Sequence, residues 1–250
     1  MKRLLLVIKE FYLEVFLHGH RASFVSSFLF IVFISLSASS QPVNDGQKTE
    51  AYKKVITERV SKIINNLAIK DSVVYNRVLS VIINQYADNN AIHEESKSVI
   101  AEISLKSSAK EKAAEAVKEE EKKKSGLLLQ RHQEFIAHLK KDLSDEQLEK
   151  VKDGMTYNVL NVTYTAYRDM IPGLTTEQKQ VIYDWLKEAR EKAMDESSSE
   201  DKHKMFGKYK GNINNYLSSQ GYDMKMEEKA WQQRLREKRE KEAAEKQKLS

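Results

Sequence analysis

Apolar residues recur along this chain at intervals of three and four, the spacing of helices, rather than two. From about Thr49, the residues Val55, Ile56, Val60, Ile63, Ile64 and Leu67 fall on one helical face. Asp71 and Ser72 offer a cap to a second helix, whose stripe is Val74, Val78, Val81, Ile82 and Tyr86. The pattern predicts that these two pair as an antiparallel hairpin. The stretch from Lys106 to Lys124 is mostly Lys, Glu and Ala, and Glu119–Lys123 and Glu120–Lys124 have the spacing of helical ion pairs. It reads as a solvated helix that spaces two halves of the molecule, with an interaction arm as the other reading. Ser125-Gly126 predicts a break, after which Leu127 to Leu139 resumes an amphipathic helix.

Two later segments start alike, Leu143-Ser144-Asp145-Glu146-Gln147 and Leu174-Thr175-Thr176-Glu177-Gln178. A hydroxyl three positions before a glutamine predicts a capping box at each helix start. The same spacing resembles the Leu-Thr-x-x-Gln motif of small periplasmic helical chaperones, although capping alone accounts for it. Between the two boxes, a loop is expected around Gly154 to Leu160, then a short helix ending before Pro172-Gly173. The helix after Thr175 carries Val181, Ile182, Trp185, Leu186 and Ala189 on one face, which predicts a largely buried Trp185. Asp195 to Ser199 is a polar break, a shorter helix follows from about Asp201, and Gly221 marks its stop. After Met224 the chain reads as a highly charged helix.

With 8 glycines and 2 prolines in 250 residues, the chain lacks the turn signals of a sandwich or barrel. Its predicted class is all-α: a helical bundle with an N-terminal helical hairpin and a charged C-terminal helix. Arg21, the apolar run Phe24 to Leu36 and the small residues Ser37 to Ser40 follow the order of a secretory leader. The expected organisation is therefore a signal peptide over 1–40, cleaved near Gln41, then a linker over 41–48. A single helical domain spans 49–230, and a charged tail covers 231–250. There is no cysteine, so neither a disulfide nor a lipoprotein anchor is available. The expected product is a soluble periplasmic or secreted protein, without a membrane partner after cleavage.

The net charge of +5 divides between the leader and the tail, leaving residues 41–230 neutral. A nucleic-acid partner would call for a basic stripe on the folded part, so none is expected. His132 and His138, six apart, point to different faces of one helix, and no metal site or other cofactor is expected. Phosphate loops, dinucleotide fingerprints and a nucleophile elbow are absent from the sequence, so it names no catalytic residue.

Two polar constellations remain. Tyr86, Asn90, His93 and Lys97 share one helical face, which is also where a helix would emerge from its core. Lys208 to Tyr216 interleaves tyrosines with asparagines. Rings suit the apolar faces of sugars, and amides both donate to and accept from hydroxyls. The candidate ligand surface is Tyr157, His203, Lys208, Tyr209, Asn212, Asn214 and Asn215, with Asn90 and His93 opposite. The competing reading packs the tyrosines inward and leaves the asparagines to cap helix ends.

Several runs resemble one family, the domain-of-unknown-function family numbered 3826. They are Thr57-Glu58-Arg59, Gln85-Tyr86, Ala91-Ile92-His93, Asp153 to Tyr157, Thr163-Tyr164, Met170-Ile171-Pro172, Glu188-Ala189-Arg190, Ala193-Met194-Asp195, His203, and Phe206 to Gly211 through Ile213 to Leu217. The chain departs from the family pattern at Ala68-Ile69, where a Gly-Leu-like turn is expected, and at Asn212, where a basic residue is common. The resemblance implies a secreted, sugar-binding protein that accompanies polysaccharide degradation in saccharolytic Gram-negative bacteria. It carries over no catalytic residue. The leading expectation is a carbohydrate-binding accessory protein with an oligo- or polysaccharide partner. A periplasmic helical chaperone or protein-partner binder, and an enzyme acting on glycans, are the alternatives.

Overall fold

The structure is a computed structural model and describes residues 45–106 and 110–248. The predicted leader lies outside the described residues. Eight helices follow in order: α1 (Asp45–Asn65), α2 (Ser72–Lys106), α3 (Lys110–Leu139), α4 (Asp145–Met155), α5 (Val159–Met170), α6 (Thr176–Met194), α7 (Ser199–Ser219) and α8 (Met224–Lys248). There is no strand among the described residues, so the fold is all-α. None of these helices is long and apolar enough to cross a membrane.

The first two helices pair as their stripes predict. Tyr75 donates to Asn65 near the connecting turn, and Tyr52 donates to the Tyr86 carbonyl at the far end, which fixes an antiparallel hairpin. Asp71 caps α2 by accepting from the amides of Val73 and Val74. Ile56, Val60, Ile63, Ile64 and Leu67 of α1 are buried against Val78, Ile82 and Tyr86 of α2 and Phe135 and Leu139 of α3.

Two expectations for the charged stretch fail. Helix α3 runs unbroken through Ser125-Gly126, because helical neighbours on both sides carry the glycine at a cost of only about 1 kcal/mol. Nor does Lys110 to Lys124 space two halves of the molecule. It belongs to a helix that runs back along α2, with Glu95 paired to Lys123, Asp88 to Arg131 and, just past the helix, Arg77 to Asp142. Beyond Ser96 on α2 and before Phe135 on α3 no described side chain is buried. The two helices meet there along a half-buried seam that includes Val99, Ile100, Ile103, Ala113 and Val117. The result is a two-helix arm, with Leu105 near its tip 87% exposed.

Both capping boxes form at Ser144–Gln147 and Thr175–Gln178. Gln147 also donates to the Leu67 carbonyl, and Gln178 accepts from Tyr222, so each box doubles as a tie between elements. The loop expected at Gly154 to Leu160 is shorter than that span. Helix α4 continues to Met155, and α5 begins at Val159. Gly154 lies inside α4, where a Cβ would come within 2.8 Å of Ile63, so the glycine permits close approach to α1 rather than to a ligand. Helix α6 is the centre of the second half, packing on α4, α5 and α7, while α8 lies on α5 and α7. The charged tail is part of one helix that starts at Met224. Its first turns are docked through the buried Trp231 and through Arg234, which donates to the carbonyls of Asp169 and Met170.

Ala68, which stands where the family pattern suggests glycine, has φ of +54°. A non-glycine residue held there costs about 1–2 kcal/mol, partly offset by the greater freedom glycine has when unfolded. Ala68→Gly is therefore expected to stabilise the protein by about 0.5–1 kcal/mol, read as a higher urea midpoint.

Candidate functional site

The ligand surface expected from sequence depends on α7, so its register decides what can converge. At 3.6 residues per turn, the buried row Lys202, Phe206, Ile213 and Leu217 divides α7 into two flanks. Tyr209, Asn212 and Tyr216 fall on the flank beside α6. His203, Lys210 and Asn214 fall on the opposite flank, beside α5 and the turn at 156–158. Lys208, Gly211 and Asn215 form the outermost, exposed row. The expected residues therefore do not make one surface.

The α6 flank is a polar and aromatic strip. Trp185 meets Tyr216 edge to face, with ring centroids 5.7 Å apart, and both rings stay partly exposed. Trp185 is largely covered, as its place in the stripe predicts, though less deeply than its core neighbours. Ile182, Leu186 and Ala189 fill the core of α6, and Trp185 lies on its rim toward α7. Two turns along, the Tyr209 ring is buried while its hydroxyl donates to Glu188 at 2.7 Å and accepts from Lys192 at 2.6 Å. The hydrogen bonds from Lys192 and then Tyr209 hold the Glu188 carboxyl below its ordinary pKa. Burial, with Glu188 beside it, raises that of Tyr209. At neutral pH the strip thus offers a carboxylate, an ammonium and a neutral phenol beside two partly exposed rings. Asn212 lies on the same flank of α7, one turn from Tyr209 and from Tyr216, and is exposed. On the other side of α6, Tyr164 and Tyr183 form a second edge-to-face pair, with Arg168 over Tyr164.

On the α5 flank, Tyr157 stacks on His203 at 5.6 Å, and Arg59 of α1 lies 5.4 Å from the same tyrosine ring. Asn214 accepts from the Tyr167 hydroxyl at 2.7 Å. Burial lowers the pKa of His203, with Lys210 adding to it, and burial likewise lowers that of Lys210. The turn that presents Tyr157 is unusual, because Tyr157 and Asn158 both have left-handed φ, near +57° and +59°.

His93 and Asn90 of α2 lie at neither flank. His93 bonds the Asp195 carbonyl at 2.9 Å, and Asn90 is half-buried one turn before it. The adjacent Asn89, which periodicity passed over, is buried and donates to the Met194 carbonyl. These contacts belong to a polar network around the end of α6. Arg190, 1% exposed, donates to Asp153, Glu149 and Glu191. Lys152 and His132 pair with Glu191, and His132 also with Asp195. Among the described residues no group of three or more His, Asp or Glu is arranged as metal ligands.

Glu188, Lys192 and Arg59 were not among the candidate residues expected from sequence, because a charged side chain on an amphipathic helix carries no signal of its partner. A comparison with family models matches residues 53–237 to a family described as a protein of unknown function, DUF3826. No curated protein matches the chain.

Proposed function

We propose, for a chain that belongs to the DUF3826 family of proteins of unknown function, that it binds carbohydrate on the strip between α6 and α7. In this reading it is a soluble periplasmic accessory protein of polysaccharide use, exported by the leader over 1–40. The observation that carries the reading is the partly exposed Trp185–Tyr216 pair in line with Asn212, Glu188 and Lys192. Such rings cover the C–H faces of a pyranose, while the amide, carboxylate and ammonium groups bond its hydroxyls. Partly exposed aromatics beside polar groups that both donate and accept suit a neutral, hydroxyl-rich ligand better than a purely apolar one. Nothing in the strip requires a bond to be broken, so the reading is of binding and not of catalysis.

The test is titration calorimetry against a panel of plant polysaccharide fragments. Ring anchors of this kind carry about 1.5–2 kcal/mol each, so Trp185→Ala and Tyr216→Ala are each expected to weaken binding tenfold or more. Melting temperature should fall by only a few degrees, since both rings lie at the rim. Undiminished affinity in both variants would remove the strip from the account.

A protein-partner role has one specific observation in its favour, the two-helix arm with its exposed Leu105, Leu127 and Leu129. Suppression of model-protein aggregation that disappears in Leu105→Glu and Leu129→Glu would favour that reading instead.

A further inference from the structure

Hydrogen bonds at the Lys192 end of the strip between α6 and α7 are unevenly shared. The Lys192 ammonium donates to Glu188 Oε1 at 2.7 Å and to the Tyr209 hydroxyl at 2.6 Å. That hydroxyl donates in turn to the same Oε1, at 2.7 Å, so the three groups close into a triangle. The phenol, giving its one proton and accepting another, is used up. Glu188 Oε2 has no partner among the described residues. An ammonium has three donors, and the triangle takes two of them. One anionic acceptor and one cationic donor are therefore left side by side. The Glu188 and Lys192 side chains are 52% and 53% exposed, so both groups reach solvent.

An acceptor fixed beside a donor is the complement of a vicinal diol, whose one hydroxyl donates to the carboxylate while its neighbour accepts from the ammonium. The triangle is anchored on the buried Tyr209 ring, so little side-chain freedom is left to lose when a ligand arrives. A sugar acid fits worse. Its carboxylate would face Glu188 Oε2, and the charge of Lys192 is already balanced by Glu188. Position along the helices sets the length of the ligand. Trp185 and Tyr216 meet at one end, and Lys192 and Tyr209 at the other, with Glu188 and Asn212 between them. Trp185 to Lys192 spans about 10 Å along α6, more than one pyranose ring and close to two linked ones.

We propose that the strip reads a neutral glycan two sugars at a time, one ring lying on Trp185 and Tyr216 and the next presenting a vicinal diol to Glu188 Oε2 and the Lys192 ammonium. This inference rests on the carbohydrate reading of the strip. It adds a second subsite, the shortest ligand that fills both, and the exclusion of sugar acids.

Calorimetry of the full chain tests this with cellobiose, xylobiose, mannobiose, galactobiose, their four monosaccharides and digalacturonate as probes. At least one neutral disaccharide should bind, roughly tenfold or more tightly than its own monosaccharide, because a hydroxyl bonded to a charged group adds that much. Digalacturonate, the acid counterpart of galactobiose, should bind more weakly than the best neutral disaccharide. Glu188→Ala and Lys192→Ala should each weaken that disaccharide roughly tenfold or more. Melting temperatures of both variants should stay close to that of the wild type, since an exposed ion pair contributes little to stability. Binding that Trp185→Ala abolishes but that neither Glu188→Ala nor Lys192→Ala weakens would overturn the diol subsite and leave the strip as a carbohydrate site. A monosaccharide that binds as tightly as its disaccharide, or digalacturonate as the tightest ligand, would overturn it as well. No binding by any of these sugars would overturn both the subsite and the reading on which it rests.

Discussion

Arg190→Ala is expected to cost about 3–5 kcal/mol, the loss typical of breaking a buried ion pair from one side. The side chain is almost wholly enclosed, and it joins Glu149 and Asp153 of α4 to its own helix. Burial alone would disfavour the guanidinium charge, but the Asp153 and Glu149 carboxylates outweigh it and raise the pKa above its ordinary value. Truncation would leave those carboxylates facing a void where α4 meets α6. Arg190→Lys should recover only part of the loss, since an ammonium cannot span three carboxylates with a planar fork. Urea melts of the three proteins check this. Equal midpoints for wild type and Arg190→Ala would mean that the network contributes nothing to holding α4 on α6.

The second large effect is on pH dependence. Hydrogen bonds to Asp195 and Glu191 hold His132 protonated, its pKa raised from 6.5 to about 9. A pKa raised on folding stabilises the native state fully below the unfolded value and loses that contribution as pH rises through the folded one. The network should therefore lose on the order of 2 kcal/mol between about pH 6.5 and 9, after discounting for partial exposure of the partners. Lys202, lowered to about 8 by burial, acts in the opposite sense at higher pH, so the comparison must be between variants. His132→Gln is expected to be less stable than wild type at pH 6 and to converge with it by pH 10. On the acid side, burial opposes the Glu191 charge, but His132 and Lys152 hold its pKa down to about 2, so both proteins should weaken as pH falls from about 4.5. Parallel stability curves for the two proteins from pH 6 to 10 would mean that His132 is not held as a cation.

Most of the secondary structure was legible because it rests on local rules. The stripe of α1 and the two capping boxes are properties of neighbouring residues, and each formed as the spacing implied. Gly126 was misread because a glycine signals a break only when its flanks do not already favour helix. The turn at Thr156 to Asn158 was misread as a longer loop, because left-handed backbone at a tyrosine has no sequence signature. Tyrosine and asparagine drew attention to α7, but composition does not say which residues share a flank. Tyr209 and His203, six positions apart, face different neighbours. The charged network around Arg190 was not legible at all, since its members come from α3, α4 and α6 and each looks like an ordinary surface charge in isolation.

The central claim is that Trp185 touches carbohydrate. Trp185 and the buried Trp231 are the two tryptophans of the chain, so Trp231→Phe makes fluorescence report on Trp185 alone. Titrating that variant with the polysaccharide-fragment panel should give a saturable change in emission for at least one fragment, absent with a charge-matched non-sugar polyol. Saturable binding by calorimetry with Trp185 emission unchanged would contradict the account.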